Sequence, residues 1–267
     1  MIKLVATDID GTLVKESSPN ITDVQVELFR KLTDQGIRVV AASGRQYGSV
    51  SKVFAPVDRK LYYIVENGAH ILYGSETIHK VVMQRSDVEG IMADIRAHYD
   101  QGCHVVASTA DGCFLESKDE DFIRLMTEGY RNEVTLINDV LSQDSDFLKL
   151  AVYRKGSIQE IGENILIPKW KDKVKATMAG AEWVDFMDAS VDKGNALKIL
   201  MEHLSIDPAE SMAFGDNDND IGLLRAAGES YAVANATPGA IEAAAHTCPP
   251  YWEDGVSGVL RTLIEQS

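Results

Sequence analysis

Two aspartates one residue apart, Asp8 and Asp10, end a short apolar run near the N-terminus, and Gly11 and Thr12 follow at once. On an extended backbone, residues i and i+2 point to the same side, so we expect both carboxylates on one side at the end of the first strand. Open α/β sheets bind ligands at that end of their strands. Two carboxylates placed together repel each other unless a proton or a cation lies near them. The pattern therefore predicts a magnesium ion beside these residues.

A plain turn at the end of a strand is the alternative, because Asp and Gly both favour turns. A calcium loop of the EF-hand type is not expected. The acidic residue that should close such a loop is replaced by Pro19.

Three later segments carry side chains suited to the same chemistry. Ser43 and the N–H of Gly44 follow a second predicted strand and can receive phosphate oxygens, although Ser-Gly after a strand is also a common helix cap. Lys193 lies in the first turn of a predicted helix, where the helix dipole disfavours a cation unless an anion is near. A solvated surface Lys is the alternative there. Residues 216–220 hold three Asp and two Asn, which suit a hard cation or an Asx-rich helix cap.

Strands and helices alternate at both ends of the chain and must position these side chains. Apolar runs that begin at Ile2, Ile37 and Leu61 predict buried strands, and helices are predicted from about Thr22 and over 47–54. A strand, a helix and a strand of this length imply a right-handed parallel crossover. The polar side chains that follow each strand should then meet on one edge of the sheet.

Residues 84–187 show helices mixed with hairpins, which is typical of α+β domains. Ser86 with Glu89 predicts a capping box at the start of the first of these helices. We therefore expect two domains: a parallel-sheet core of residues 1–83 and 188–267, and an inserted α+β domain of residues 84–187.

The formal net charge of −15 over 267 residues disfavours a nucleic-acid partner, which would need clustered Lys and Arg. We see neither a membrane-spanning stretch nor a signal peptide, so we expect no membrane partner and a cytoplasmic location. Cys103, Cys113 and Cys248 lack zinc-type spacing and are expected to be buried in a reducing compartment. The oligomeric state is not indicated.

Four stretches, in this order and spacing, resemble the motifs of the haloacid dehalogenase (HAD) superfamily: Asp8-Ile9-Asp10-Gly11-Thr12, Ser43-Gly44-Arg45, Lys193-Gly194, and Gly215-Asp216-x-x-Asn219-Asp220. Within it, the whole chain resembles the Cof-type phosphatases of subclass IIB, which carry a large cap between the second and third motifs. Asn67-Gly68-Ala69 and Val233-Ala234-Asn235-Ala236 resemble secondary signatures of that subfamily. Gly222 and Leu223 stand where the family often has an acidic residue and a Met, and we expect this departure to affect helix packing more than chemistry.

The resemblance implies a Rossmann-like α/β core with an inserted α+β cap. It also implies a Mg²⁺-dependent phosphatase that hydrolyses small phosphomonoesters, such as sugar phosphates, through an aspartyl-phosphate. Asp8 would be the nucleophile, Asp10 the general acid and base, and Lys193 a further catalytic residue. Asp8, the backbone carbonyl of Asp10 and Asp216 would hold Mg²⁺. Oxygen ligands without His or Cys favour magnesium over zinc.

The resemblance further implies a phosphate-binding set and a supporting set. The phosphate-binding residues would be Ile9, Ser43, Gly44, Lys193 and Asn219. The supporting residues would be Thr12, Arg45 and Asp220, with Asp220 steadying either Lys193 or the metal shell. The cap would act as a lid with hinges near Met83 and Asp188 and would set specificity. A phosphotransferase or phosphomutase with the same intermediate, and a non-catalytic protein that binds a phosphorylated ligand, are the alternatives.

Overall fold

The computed structural model describes residues 1–15 and 18–266. The chain forms two compact units, a core unit of Met1–His79 with the chain from Asp192 onward, and an inserted unit of Lys80–Val191. The inserted unit is slightly longer at both ends than expected. The N–H of Met83 donates to the carbonyl of Phe147, and Lys175 Nζ donates to the carbonyl of Val191, so both flanks are bonded within the inserted unit.

The first part of the core unit alternates strands and helices and ends in a hairpin. Helix α1 begins where Thr22 and Gln25 form a capping box, and Gly36, at φ +84°, follows its last turn. The predicted helix over 47–54 is confirmed. The elements are β1 (Leu4–Thr7), α1 (Asp23–Asp34), β2 (Arg38–Ala42), α2 (Tyr47–Phe54), β3 (Tyr62–Val65), β4 (His70–Tyr73) and β5 (Glu76–Lys80).

The inserted unit contains short helices and six strands among the residues described. The predicted capping box at Ser86 is wrong, because Gln84 is the N-cap and its carbonyl accepts the N–H groups of Asp87 and Val88. The elements are α3 (Arg85–Arg96), β6 (Cys103–Thr109), β7 (Gly112–Leu115), α4 (Glu120–Arg124), β8 (Val134–Leu136), β9 (Lys149–Arg154), α5 (Gln159–Ile161), α6 (Ile167–Trp170), β10 (Lys175–Met178) and β11 (Trp183–Met187).

These six strands form one sheet in the order β10-β11-β9-β6-β7-β8, and all neighbouring pairs are antiparallel except β7 with β8. One face packs against α3, α5 and α6, with Ile91, Val105 and Phe186 in its core. The other face packs against α4 through Phe122 and Tyr153. The predicted α+β character of this segment is confirmed.

The core unit resumes with α7 and returns to the same sheet. Strand β14 was not predicted from the sequence. The elements are α7 (Lys193–Leu204), β12 (Ser211–Gly215), α8 (Ile221–Ala226), β13 (Glu229–Val233), α9 (Pro238–Ala243), β14 (His246–Cys248) and α10 (Gly255–Gln266).

The core sheet has the strand order β14-β13-β12-β1-β2-β3-β4-β5, and the pairs from β14 to β3 are parallel. In β1, Thr7 lies opposite Phe214 on one side and Ala41 on the other. The ends of β1, β2 and β12 therefore lie on one edge, as the crossover rule predicted. Asp8, Ser43 and Asp216 follow these three ends.

Both faces of the core sheet are covered. Val5 and Val39 pack on one face against Phe29 and other residues of α1 and α10. Leu4 and Val40 pack on the opposite face against Leu197 and other residues of α7 and α8. This two-sided burial explains the nearly continuous apolar runs in the sequence.

Among residues 1–15 and 18–266, no helix is both long and apolar enough to cross a bilayer. The three cysteines are buried and are not joined in disulfides.

Candidate active site

The loop after β1 carries Asp8 into a buried position. The N–H of Asp8 still donates to the carbonyl of Phe214 at 3.0 Å, so the pairing of β1 with β12 continues to this residue. Asp8 is only 5% exposed. Gly11, at φ +83°, turns the chain, and any Cβ there would overlap the carboxylate of Asp216. Glycine at this position therefore permits the close approach of the loops that carry Asp8 and Asp216.

Lys193 is the first residue of α7 and its side chain is completely buried. Its Nζ donates to Oδ1 of Asp8 at 2.6 Å and to Oδ1 of Asp220 at 2.7 Å. Burial lowers the pKa of Lys193, but the charges of Asp220 and Asp8 outweigh it, so the pKa is raised and the side chain is a cation. The anion that the sequence predicted beside Lys193 thus includes two carboxylates of the protein itself.

The pKa of Asp8 is raised well above its usual range. Burial is the largest cause, the charge of Asp220 adds to it, and Lys193 opposes both. The carboxylate is therefore in an environment that disfavours its negative charge unless further positive charge is supplied.

Both carboxylate oxygens of Asp220 accept hydrogen bonds from other residues of the protein. Oδ1 accepts Lys193, and Oδ2 accepts the backbone N–H groups of Asp216 and Asn217, each at 3.1 Å. Asp220 is completely buried. This arrangement favours the first of the two supporting roles expected for Asp220, that of steadying Lys193.

Asp216 follows β12 and is partly buried. Its Oδ1 accepts the hydroxyl of the buried Thr12 at 2.8 Å. Burial, followed by the charge of Asp220, raises the pKa of Asp216 to about 6, while the hydrogen bond from Thr12 lowers it. Thr12 therefore orients the carboxylate of Asp216, in the loop after β12.

The donor set fits a hard divalent cation. One oxygen from each of Asp8, Asp216 and Asp220 lies within 4.8 Å of the others. The candidate ligands are oxygens, and two of the carboxylates have raised pKa values that a cation would relieve. Asp8 and Asp216 were the predicted side-chain ligands, and the structure brings them together. The binding of the metal by the backbone carbonyl of Asp10 stays a prediction.

Arg45 holds the side chain of Asp10 with two hydrogen bonds. The Nε of Arg45 donates to Oδ2 of Asp10 at 2.7 Å, and Nη2 donates to Oδ1. Such paired hydrogen bonds fix the plane of a carboxylate. Arg45 was expected only to support the site, and the sequence did not indicate its partner. About a quarter of the Asp10 side chain remains exposed.

The predicted phosphate-binding residues differ in which of their atoms could contact a phosphoryl group. Ser43 is buried and its Oγ accepts the N–H of Arg45 at 3.1 Å, which leaves the hydroxyl hydrogen available to a ligand. Asn219 is exposed and its side-chain amide contacts Asn67. The side chain of Ile9 lies in the hydrophobic core. Only the backbone of Ile9 can therefore bind a phosphoryl group.

Helices α7 and α8 meet at two glycines. A Cβ on Gly194 would overlap the carbonyl of Gly222, and a Cβ on Gly222 would overlap the carboxylate of Asp192. Asp192 caps α7 by accepting the N–H groups of Gly194 and Asn195. Gly222, the departure from the family pattern, thus permits the close packing that places Lys193.

Asn235, from the stretch 233–236 that resembles a secondary signature, and Thr237 tie the loops after β1 and β12 to the turn after β13. Asn235 Nδ2 donates to the carbonyl of Gly11 at 2.8 Å, and its Oδ1 accepts the N–H of Tyr251. The N–H of Thr237 donates to the carbonyl of Asp216 at 2.8 Å. The sequence pointed to Asn235 through that resemblance and did not point to Thr237.

Comparisons with known proteins identify the family of the chain and its shared fold. The model of a family described as haloacid dehalogenase-like hydrolases matches residues 5–260. A crystal structure of a protein from Eubacterium rectale is 38% identical, with a TM-score of 0.88, over 98% of this chain and 99% of that one. The 5-amino-6-(5-phospho-D-ribitylamino)uracil phosphatase of Escherichia coli (strain K12) is 23% identical, over 99% of this chain and 97% of that protein. The structure of a HAD subclass IIB sugar phosphatase is 21% identical over 98% of each chain, and its TM-score of 0.82 shows the shared fold.

Proposed function

Because the chain belongs to the haloacid dehalogenase-like hydrolases and is a phosphatase of their Cof type, we propose that it hydrolyses small phosphomonoesters in a Mg²⁺-dependent reaction through an aspartyl-phosphate on Asp8. The observation that carries the proposal is the contact of Lys193 with Asp8 and Asp220 beside the carboxylate of Asp216. This arrangement would gather a nucleophile, a fixed positive charge and a metal site at one edge of the core sheet.

Asp8 forms the covalent bond. An oxygen of its carboxylate attacks the phosphorus of the substrate, and the bond from phosphorus to the leaving oxygen breaks. The side chain is buried and held by Lys193, so its position is set before substrate binds. Such preorganisation reduces the entropic part of the barrier.

Asp8 and Asp216, with the backbone carbonyl of Asp10, would hold the metal ion. Mg²⁺ when bound would supply positive charge to the phosphoryl oxygens and keep the nearby carboxylates ionised. Lys193 supplies a second positive charge that the protein itself carries at all times.

Asp10 moves the proton. In the first step its carboxylic acid donates a proton to the leaving oxygen, and in the second its carboxylate takes a proton from the water that attacks the phosphorus. The products are an alcohol, inorganic phosphate and the restored carboxylate of Asp8. Arg45 orients the carboxylate of Asp10, and one of its two hydrogen bonds opens when an oxygen of Asp10 carries the proton.

Ser43, Gly44 and Asn219 bind the phosphoryl oxygens that Lys193 does not reach. Hydroxyl, backbone amide and side-chain amide donors suit the equatorial oxygens, whose charge must be stabilised in the transition state. The backbone N–H of Ile9 joins this set.

We further propose that the substrates are phosphorylated metabolites such as sugar phosphates. The relatives' names, which include a ribityl phosphate derivative and a sugar phosphatase, support this class without specifying one compound. The inserted unit, residues 80–191, is the part of the chain proposed to act as a lid and to select among substrates.

A phosphate-release assay with a panel of phosphomonoesters tests the proposal. We expect turnover with Mg²⁺, loss of turnover with a chelator, and loss in Asp8→Asn. Asp58→Asn, a change at an exposed residue outside the site, is the matched control and should leave activity unchanged. Full activity with chelator or in Asp8→Asn would contradict the mechanism. Phosphate transfer to a sugar hydroxyl in place of water would assign the enzyme to the phosphotransferases.

A further inference from the structure

The turn between β3 and β4 has a backbone that few sequences adopt. Glu66, Asn67 and Gly68 follow one another at φ +51°, +58° and +107°. Left-handed conformations are uncommon for residues other than glycine, and two such residues in succession carry a conformational cost. Both Glu66 and Asn67 are buried. A buried turn with this backbone is held by its surroundings, so its contacts indicate what it does.

The turn is bonded to the segment that carries Ser43 and Gly44. The N–H of Glu66 donates to the carbonyl of Arg45, and the N–H of Asn67 donates to the carbonyl of Ser43, both at 3.0 Å. These two bonds flank Gly44. A Cβ on Gly44 would lie 2.9 Å from Oδ1 of Asn67, so the side chain of Asn67 packs directly against this glycine.

The same turn contacts the two remaining motif segments. Asn67 Oδ1 accepts Nδ2 of Asn219 at 3.0 Å. A Cβ on Gly68 would lie 2.5 Å from the carbonyl oxygen of Asp192, the residue before Lys193. One turn of three residues therefore touches every segment that is proposed to bind the phosphoryl group, except the loop after β1.

We propose that Asn67 is a positioning residue that sets the phosphate-binding groups through the side-chain amide of Asn219 and the backbone at Gly44. Because Oδ1 of Asn67 accepts a hydrogen bond, it fixes the Asn219 amide with its NH₂ group facing Asn67. The second hydrogen of that NH₂ group can then donate to a phosphoryl oxygen. If the amide of Asn219 were flipped, its oxygen would face the phosphoryl group and repel it. The inference rests on the proposed function, since it concerns the same phosphate site.

The residue type follows from the geometry. Asn is among the residues that best tolerate the left-handed region, and its short side chain reaches both Gly44 and Asn219. Gly would fit the backbone but would have no acceptor. Asp would keep an acceptor but would place a negative charge beside the bound phosphate.

The first test therefore uses Asn67→Gly, which keeps the backbone conformation and removes the side chain. We expect kcat/KM to fall about tenfold to a hundredfold, because small misplacements of binding groups have effects of this size. The affinity for inorganic phosphate, measured by calorimetry with Mg²⁺ present, should fall in parallel. Asp58→Gly, which changes an exposed left-handed residue at φ +52°, is the matched control and should alter neither quantity.

A double-mutant cycle then distinguishes positioning from a structural role. If Asn67 acts through Asn219, Asn67→Gly in an Asn219→Ala background should add little to the loss in phosphate affinity, and Asn67→Asp alone should weaken phosphate more than Asn67→Gly does. Independent losses that multiply in the double variant, or wild-type phosphate affinity and kcat/KM in Asn67→Gly, would overturn this inference while leaving the proposed function intact. A wild-type protein that neither turns over phosphomonoesters nor binds phosphate would overturn both.

Discussion

The Nζ of Lys193 lies 2.6 Å from Oδ1 of Asp8, and neither side chain is more than 8% exposed. This buried contact joins two residues that are far apart in the sequence. The lysine belongs to the start of α7 and the aspartate to the end of β1. The contact holds Asp8, the proposed nucleophile, beside a permanent positive charge, but Asp220 shares the same lysine.

Replacing the two partners should change stability in opposite directions. Asp8→Asn removes a buried charge whose raised pKa shows that its environment disfavours ionisation, and Lys193 keeps Asp220. We expect the metal-free variant to unfold about 2–4 °C above the metal-free wild type, the shift that about 1 kcal/mol gives in a domain of this size. Lys193→Met leaves two buried carboxylates without their cation and should cost about 3–5 kcal/mol.

Thermal unfolding of the two variants in chelator is the measurement. Both should be inactive, so activity does not distinguish them, and the opposite stability shifts do. A lower unfolding temperature for Asp8→Asn would show that the contact with Lys193 stabilises Asp8 more than burial penalises it.

Magnesium binding should weaken in acid because Asp216 takes up a proton. The pKa of its carboxyl is about 6 in the metal-free folded protein, above the value of 3.8 for an ordinary Asp. The folded state therefore binds more protons than the unfolded state between these two pH values. For this group, the free energy of unfolding of the metal-free protein falls as pH rises through that window.

With Mg²⁺ bound the trend should reverse, since the cation and the proton compete for the same carboxylate. We expect the apparent affinity for Mg²⁺ to fall by up to about tenfold per pH unit below pH 6. Unfolding curves between about pH 4 and pH 7, with chelator and with excess Mg²⁺, measure both trends. In Asp216→Asn, the contribution of Asp216 to the pH dependence of the free energy of unfolding should disappear. An unchanged pH dependence would show that another carboxylate takes up the proton.

The arrangement of the site was predictable wherever it followed from chain topology. Parallel strands joined by right-handed crossovers must end on one edge, so the sequence sufficed to bring Asp8, Ser43 and Asp216 to the ends of β1, β2 and β12. Helix α8 begins at Ile221, directly after the segment 216–220 that the sequence offered as an Asx-rich helix cap.

The parts that were missed depend on contacts between distant residues or on weak local signals. The pair of Arg45 with Asp10 and the left-handed turn at Glu66–Gly68 exist because folding brings separate loops together. Strand β14 has only three residues, and two of them are exposed, so it has no apolar run. At α3, the spacing of Ser86 and Glu89 fits a cap, yet the chain enters the helix at Gln84.

Arg45 should matter most for substrates whose leaving group needs a proton. Arg45→Met keeps the length of the side chain but releases the carboxylate of Asp10. We expect kcat/KM for alkyl phosphates to fall at least about tenfold, a part of the roughly hundredfold or more that general acid catalysis contributes. Aryl phosphates, whose leaving groups depart as anions, should lose much less.

Parallel kinetics on the two substrate classes measure the difference, and Asp10→Asn supplies the reference pattern. Equal losses on both classes would show that Arg45 acts on phosphate binding instead of on the proton donor.

The packing of α7 on α8 should not tolerate a methyl group at Gly222. Gly222→Ala would push against the carboxylate of Asp192 and shift the start of α7. We expect a loss of about 1–3 kcal/mol in the free energy of unfolding, together with lower activity, because the start of α7 carries Lys193. Gly258→Ala is the control, since that helical glycine has open space around its added Cβ.

The control variant should gain up to about 1 kcal/mol from helix propensity alone and keep full activity. Denaturant unfolding and phosphate release on both variants make the comparison. If Gly222→Ala were as stable and active as Gly258→Ala, the close packing of the two helices would not be what places Lys193.

Mass spectrometry of the acid-quenched enzyme tests the aspartyl-phosphate most directly. In Asp10→Asn with an aryl phosphate, the first step needs no proton donor and the second lacks its base, so the intermediate should accumulate. The account predicts one phosphoryl group on the peptide that contains Asp8, and none when Asp8→Asn is added. The account would be contradicted if the wild type turned over substrate and neither the quenched wild type nor the quenched Asp10→Asn variant carried a phosphoryl group on Asp8. A phosphoryl group on another residue would also contradict it.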